Sequence, residues 1–234
     1  MSLFAEGYVL SRRRSGRGKR SFFVVPIVVV IVLAVGAGAW WVMTQRATTG
    51  DTRFSKAKLD YEAGQFGAAE QELTQLLKSS PDNLEARRTL ALALAAQGKN
   101  PEAIEQYNKI VEAEPKDHAS WYRMALLERI VGQSKQSEEH LQQALTAKSG
   151  DPTYTDELAR TKMALGDFVG AAKLWGDLAD SGKLAKEGRA SILVLQGQAY
   201  LEAKDYVQSK KAFEAALKLN PGDQALKARV KSFD

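Results

Sequence analysis

Cysteine is absent from this chain, and only two of its 234 residues are histidine. Without thiols the chain forms neither a disulfide framework nor a thiolate metal site. The two histidines, His118 and His140, fall on different predicted helices and have no partner in a zinc motif. No catalytic triad order and no glycine-rich phosphate loop occurs either. We therefore predict no catalytic residue, no cofactor, no metal site and no small-molecule substrate.

Net positive charge is also missing from most of the chain. Residues 1–50 carry seven lysines or arginines and one glutamate, whereas residues 51–234 carry 26 basic and 27 acidic residues. The overall charge of +5 therefore originates in the N-terminal tail. A nucleic-acid-binding body would need a basic patch of its own, so we expect no nucleic-acid partner.

One long apolar run stands out in this polar sequence. Residues 22–43, FFVVPIVVVIVLAVGAGAWWVM, contain no charge, and as a helix they would span about 33 Å, against about 30 Å of hydrocarbon core. Six basic residues between positions 12 and 20 precede the run, which favours a cytoplasmic N-terminus. We predict a basic cytoplasmic tail over 1–21, a transmembrane helix over 22–43 and a linker over 44–52. The remaining domain would then be extracytoplasmic, in the periplasm or on the outer face of the cytoplasmic membrane.

A cleaved signal peptide is the alternative interpretation of this run. Ala37, Gly38 and Ala39 resemble a small-residue cleavage site, and residues 22–36 would form the apolar part of the signal. The apolar residues continue to Met43, and 21 residues precede the run. Both features favour an anchor over a cleaved signal.

Four glycines repeat at a fixed interval in the rest of the chain. Gly64, Gly98, Gly132 and Gly166 are each 34 residues apart. This period predicts a repeat of two antiparallel helices that stacks into a solenoid, because one pair cannot bury its apolar stripe alone. Glycine permits the left-handed conformation that ends the first helix of each pair.

The residues around these glycines resemble the tetratricopeptide repeat family. That family has small residues at positions 8 and 20 of each repeat, glycine at 15, an aromatic residue at 24 and proline at 32. Residues 84–117 show this pattern in Ala91, Ala103, Tyr107 and Pro115, around Gly98. Small residues at positions 8 and 20 let the two helices approach closely, and large apolar residues fill the remaining interface.

The resemblance implies an all-α fold, in which the N-terminal transmembrane helix is followed by an α-solenoid of about five helical hairpins and a capping helix. The domain would occupy 53–234, with Asp223 as the N-cap of the capping helix. Between the fourth and fifth repeats the register shifts by four residues, and we predict a loop or a frayed helix end over 181–189. The repeats are assigned to 50–83, 84–117, 118–151, 152–185 and 190–223, and the capping helix to 223–233.

The resemblance also implies a binding site. In the family, ligands lie in a concave groove lined by the first helices, and the matching residues here are aromatic, aliphatic and basic. Four cations among them would face one channel, which predicts a protein or peptide partner with acidic residues or a free C-terminus. The alternative is that these cations only keep the surface soluble. The predicted groove residues are Phe54, Lys58, Tyr61, Arg88, Leu92, Tyr122, Leu126, Arg129, Arg160, Met163 and Gln198.

The predicted function is a membrane-anchored scaffold that binds partner proteins and supports assembly of a membrane or envelope complex. Membrane-anchored proteins with such repeats resemble bacterial assembly factors. Two alternatives remain open: a permanent structural subunit of a membrane complex, and a secreted soluble binding module released by signal cleavage.

Overall fold

The computed structural model describes residues 51–233, which form eleven helices joined by turns and no strand. The predicted tail over 1–21, the predicted transmembrane helix over 22–43 and the linker up to residue 50 lie outside the described residues. Within residues 51–233, no helix combines the length and the apolar character that crossing a bilayer requires.

The eleven helices form five consecutive antiparallel pairs and one final helix, and each helix packs against the next one along the chain. The described part of α1 covers residues 51–62. The other helices are α2 Phe66–Ser79, α3 Leu84–Ala96, α4 Asn100–Ala113, α5 His118–Ile130, α6 Ser134–Ala147, α7 Pro152–Ala164, α8 Phe168–Asp180, α9 Lys186–Glu202, α10 Tyr206–Leu219 and α11 Gln224–Lys231.

The turns inside the first four pairs contain the four regularly spaced glycines. Their φ angles lie between +74° and +82°, in the left-handed region that favours glycine. In the fifth pair the same position is occupied by Lys204, with φ of +60°. The predicted turn geometry is confirmed, and the fifth turn adopts it without a glycine.

Side-chain caps begin several helices at matching repeat positions. Asn83 accepts a hydrogen bond from the amide of Ala86 at 2.9 Å, and Asp223 accepts one from Leu226 at 2.9 Å. Such caps satisfy amides in the first turn that have no partner within the helix. The predicted N-cap role of Asp223 is confirmed, although the helix that follows it covers Gln224–Lys231 rather than 223–233.

Small side chains lie where the two helices of each pair cross. Ser209 replaces alanine in α10, and its Oγ donates a hydrogen bond to the backbone oxygen of Gly197 at 2.8 Å. Small residues at these crossings allow backbone approach, and larger apolar side chains fill the space beside them. The buried small residues are Ala57, Ala69, Ala91, Ala103, Ala125, Ser137, Ala159, Ala171, Gly197 and Ser209.

Two predicted boundaries differ from the structure. The loop predicted over 181–189 ends at residue 185, because Lys186 already begins α9. This helix has 17 residues, whereas α7 has 13, so the four-residue shift is absorbed as about one additional helical turn. Asp51 and Thr52, predicted to belong to the linker, are part of α1.

Candidate protein-binding groove

The predicted groove residues all lie on the first helices of the five pairs, on a surface that we call the groove face. None of them is fully buried. Lys58, Arg129, Arg160 and Gln198 are exposed. The half-buried members are Phe54, Tyr61, Arg88, Leu92, Tyr122, Leu126 and Met163.

Arg88 on α3 reaches towards the next repeat and is paired there with two carboxylates. Its Nη2 and Nε atoms lie 2.9 and 3.1 Å from Oδ2 of Asp117, and its Nη2 also contacts Glu114. This guanidinium is therefore occupied by the segment that joins α4 to α5. Sequence spacing placed Arg88 correctly on the first helix but did not reveal these partners.

Asp117 is held from two directions. It caps α5 by accepting hydrogen bonds from the amide and the hydroxyl of Ser120, at 3.2 and 2.7 Å, and it accepts from Arg88. Burial opposes ionisation of this carboxyl group, but the bonds from Ser120 and Arg88 outweigh that effect and lower the pKa of Asp117. Asp117 is therefore a structural anion in the turn before α5.

The other two arginines of the groove face are also paired. Arg129 on α5 contacts Glu157 on α7 through an Nη2–Oε1 distance of 2.7 Å. Arg160 donates from Nε to Asp156 at 3.0 Å, one helical turn away. The second oxygen of Asp156 accepts a hydrogen bond of 2.7 Å from the indole of Trp175, a core residue of α8.

Lys58 differs from the three arginines. Its side chain is exposed near the middle of α1, and no ion pair with it occurs among residues 51–233. The sequence predicted a channel of four available cations, whereas the structure pairs three of them with carboxylates of the same domain.

An aromatic cluster joins α5 to α7 beside these ion pairs. The rings of Tyr122 and Tyr154 stack with their centroids 4.7 Å apart, and Nδ1 of His118 lies 2.7 Å from the Tyr154 hydroxyl. The ammonium of Lys148 lies 5.9 Å from the Tyr154 ring centre, within cation–π range. Tyr122, predicted from the groove pattern, is therefore positioned by stacking, and one of its faces contacts the next repeat.

The two histidines are half-buried and hydrogen-bonded, which the sequence did not predict. His140 on α6 places Nδ1 2.8 Å from Glu128, whose side chain is 3% exposed, and its ring lies 5.0 Å from that of Trp121. Glu128 stands at position 11 of its repeat, where the family pattern has an aromatic residue. That departure was the available sequence signal for this buried polar pair.

The groove face holds no assembled set of metal ligands. Within residues 51–233, no group of three or more histidine, aspartate or glutamate side chains is arranged to hold a metal ion. What this surface offers a ligand is half-buried apolar side chains separated by arginine–carboxylate pairs. Such an arrangement suits contact with another polypeptide.

Comparison with known families agrees with this architecture. The profile of a family described as "Tetratricopeptide repeat" matches residues 54–118 and 89–152, and a second profile with the same description matches 190–223. Together these segments cover more than half of the chain. The segment between them contains most of the fourth helix pair, α7 and α8, and the first residues of α9.

Individual proteins show more distant similarity. The "Cellulose synthase operon protein C" of Komagataeibacter xylinus is 28% identical over 118 residues, which is 50% of this chain and 8% of that protein. A crystal structure of the MamA protein has a TM-score of 0.67 at 18% identity, covering 74% of this chain and 92% of that one. YrrB, described as a "TPR protein with an unusual peptide-binding site", has a TM-score of 0.63 at 15% identity, covering 77% and 90% respectively. These structural similarities establish the fold alone.

Proposed function

This chain belongs to the tetratricopeptide repeat family, and on that premise we propose that it is a membrane-anchored adaptor that holds a segment of a partner protein against its groove face. The observation that carries this proposal is the row of incompletely buried apolar and aromatic side chains on the first helices. Phe54, Tyr61, Tyr122 and Met163 pack against the core with part of each side chain and leave the remainder accessible. Their partial exposure on one face is therefore available to a partner.

We propose a non-catalytic role for this domain. The three arginines of the groove face and the carboxylates that contact them are engaged in ion pairs, in helix capping and in a bond to a core tryptophan. Asp117 and Asp156 illustrate this, because each of them has a structural partner besides its arginine. A general base would instead need a proton acceptor directed towards a bound substrate.

The proposed anchor is the apolar run over 22–43, and the proposed site of action is a membrane or envelope complex that the adaptor helps to assemble. This part of the proposal is supported by the length of the run and by the basic residues before it. Resistance of the full chain to carbonate extraction would support an anchor. N-terminal sequencing that finds a chain beginning after Ala39 would contradict it and favour a secreted module.

Site-specific photocrosslinking in the full chain tests the groove proposal. A photoreactive amino acid replaces Leu126 on the groove face, and in a matched control it replaces Gln142, an exposed residue of α6. We expect a discrete crosslinked partner from position 126 and none from position 142. A product from position 142 alone would place the interaction on the second helices and contradict the proposal.

Stoichiometry distinguishes an adaptor from the alternative of a permanent subunit. After mild solubilisation of membranes, an adaptor is expected to recover its partner in substoichiometric amounts. A partner recovered at a fixed ratio through every purification step would favour the structural-subunit alternative, because permanent interfaces are larger and more apolar.

A further inference from the structure

The charges of the groove face cancel one another. Lys58 and the three predicted arginines supply four cations, and the carboxylates that contact those arginines supply four anions: Glu114, Asp117, Asp156 and Glu157. Opposite charges at these distances largely neutralise each other's field beyond the immediate pair. An acidic segment that approaches the three paired arginines therefore meets little net attraction.

The groove carboxylates are also fixed in place. Asp117 is the N-cap of α5. Rotating its side chain away would leave the first-turn amide of Ser120 without a partner. Asp156 is tied to the indole of Trp175, which is 2% exposed. An incoming carboxylate would have to share these arginines with their present partners rather than replace them.

The apolar side chains of the same face have no comparable partners on their outer side. Leu92, Leu126 and Met163 come from α3, α5 and α7 and are each half-buried, as is Leu201 on α9. Apolar surface left in contact with water gains free energy when it is covered, in proportion to its area. The groove face thus offers apolar contacts on four successive first helices.

We propose that the groove face recognises an apolar segment with little or no net charge in a partner protein. Side chains of that segment contact Leu92, Leu126 and Met163, and the internal arginine–carboxylate pairs exclude segments with a high charge of either sign. This inference rests on the proposed function and specifies the chemistry of its ligand. It replaces the acidic or C-terminal partner predicted from the sequence, because three of the four cations on which that prediction depended are paired with carboxylates of the same domain.

Peptide selection on the full chain in lipid nanodiscs tests this inference. A random peptide library is first depleted on empty nanodiscs to remove lipid-binding sequences, and the remainder is selected on the protein. We expect the enriched peptides to be rich in leucine, methionine and aromatic residues and close to neutral. Their dissociation constants should change by less than about threefold between about 0.05 and 0.5 M NaCl, since no net charge attraction is screened.

Three variants assign the contacts. Leu126→Ser should weaken binding of a selected peptide by about tenfold or more if Leu126 is an anchor of the site. Val207→Ser, a matched change at an exposed aliphatic residue of α10, should leave binding unchanged. Leu92→Ser, at a half-buried leucine on the preceding first helix of the same face, should also weaken binding. Circular dichroism of each variant checks that the helices persist.

The outcomes separate failure of this inference from failure of the proposed function. Enrichment of acidic peptides whose affinity falls more than about tenfold with salt would overturn the inference while supporting a groove ligand. Selected peptides that bind both Leu126→Ser and Leu92→Ser as tightly as the unmodified chain would place binding outside the groove face. That result, or the absence of any enriched peptide, would contradict the proposed function itself.

Discussion

At the scale of single residues, Gly197 shows how closely α9 and α10 approach. A Cβ atom built at this position would lie 2.7 to 2.9 Å from ring atoms of Phe213, and that ring is 1% exposed. Contacts this short require the buried ring to move. The crossing therefore leaves room for glycine but for no side chain at position 197 of α9.

Gly197→Ala is accordingly expected to destabilise the domain by about 1 kcal/mol, because overpacking against Phe213 exceeds the gain in helix propensity. Gly188→Ala in the same helix is the matched control, since the nearest atom to its Cβ would be 3.9 Å away. That substitution should be neutral or stabilising. Urea unfolding of both variants measures the difference, and equal stabilities would contradict the argument.

Among the turns inside the five helix pairs, the turn at Lys204 has the least favourable backbone conformation, because a residue other than glycine occupies the left-handed position. Its φ of +60° is left-handed, a conformation that costs most residues roughly 1 kcal/mol or more relative to glycine. We expect Lys204→Gly to raise the unfolding free energy by about 0.5 kcal/mol after the loss of glycine entropy is subtracted. The reciprocal change Gly132→Ala should lower the unfolding free energy. Gly132 has a φ of +82° and open space around it, so the cost would come from the backbone conformation alone. Thermal unfolding tests both, and a destabilised Lys204→Gly would show that the lysine side chain has another role.

Asp117 gives the domain a defined acid sensitivity. Its pKa is lower in the folded chain than its ordinary value, so its ionised form stabilises the fold. This contribution is complete above the unfolded-state pKa of about 3.9 and is lost as the pH falls through the lower folded value. Asp117→Asn keeps the cap but loses the charge that contacts Arg88.

We therefore expect Asp117→Asn to reduce the unfolding free energy by about 1 kcal/mol at neutral pH, with the difference shrinking as the pH falls below the unfolded-state pKa of about 3.9. The control is Asp82→Asn, an exposed residue of the preceding turn between helices, which should change little at either pH. A difference between wild type and Asp117→Asn that is independent of pH would show that the charge of Asp117 is not responsible.

At the scale of helices, the contact between the third and fourth pairs differs from the others. Here the buried apolar cluster consists of Ala125, Leu141 and Leu158, between two much larger clusters on either side. Polar contacts replace the missing apolar ones: Lys162 on α7 contacts Glu138 on α6 at 2.7 Å. Since solenoid stability is the sum of repeat and neighbour terms, we expect this junction to be the weakest step between the five helix pairs.

Leu158→Ala is expected to separate the domain into two unfolding units at this junction. Removing a buried leucine side chain costs about 2 to 5 kcal/mol. The local cluster has only two other buried apolar residues, Ala125 and Leu141, to hold the junction together. Leu90→Ala is the matched control, since Leu90 has the same repeat position and the same 5% exposure but lies in the larger N-terminal cluster.

Hydrogen exchange read by mass spectrometry distinguishes the two leucine variants. In Leu158→Ala, α2 to α4 and α9 to α10 should exchange with different opening free energies. In Leu90→Ala the order of protection among the described helices should be the same as in the unmodified chain. Uniform exchange in Leu158→Ala would show that polar contacts alone couple the two sides.

The helical repeat could be predicted from the sequence because its determinants are local. Left-handed glycines such as Gly132 and small crossing residues such as Ala91 act within one helix pair, and their spacing is visible in the sequence. The start of α9 differs from the prediction because Gly188, inside the loop predicted over 181–189, lies within the first turn of the helix. The ion pair of Arg129 with Glu157 joins different repeats, and sequence spacing does not show where long side chains meet.

At the scale of the whole molecule, charge is divided between two parts of the chain. The body over 51–234 has nearly equal numbers of acidic and basic residues, while the excess of positive charge precedes residue 21. The groove face repeats this balance in its own ion pairs. Long-range attraction by the body is therefore a poor explanation for partner choice, and we propose that the basic tail determines the orientation of the 22–43 segment.

That role of the tail leads to a prediction for the full chain in bacterial membranes. Replacing Arg12, Arg13, Arg14 and Arg17 with glutamate should invert the orientation of the 22–43 segment, because the flanking positive charge that favours a cytoplasmic N-terminus is removed. Protease added outside spheroplasts should digest the helical domain of the unmodified chain and spare that of the variant. The control replaces Lys227, Arg229 and Lys231 with glutamate. These exposed residues of α11 lie far from the apolar run in sequence, so the orientation should be unchanged. Protection of the unmodified domain would contradict the predicted topology, since it would place the repeats in the cytoplasm.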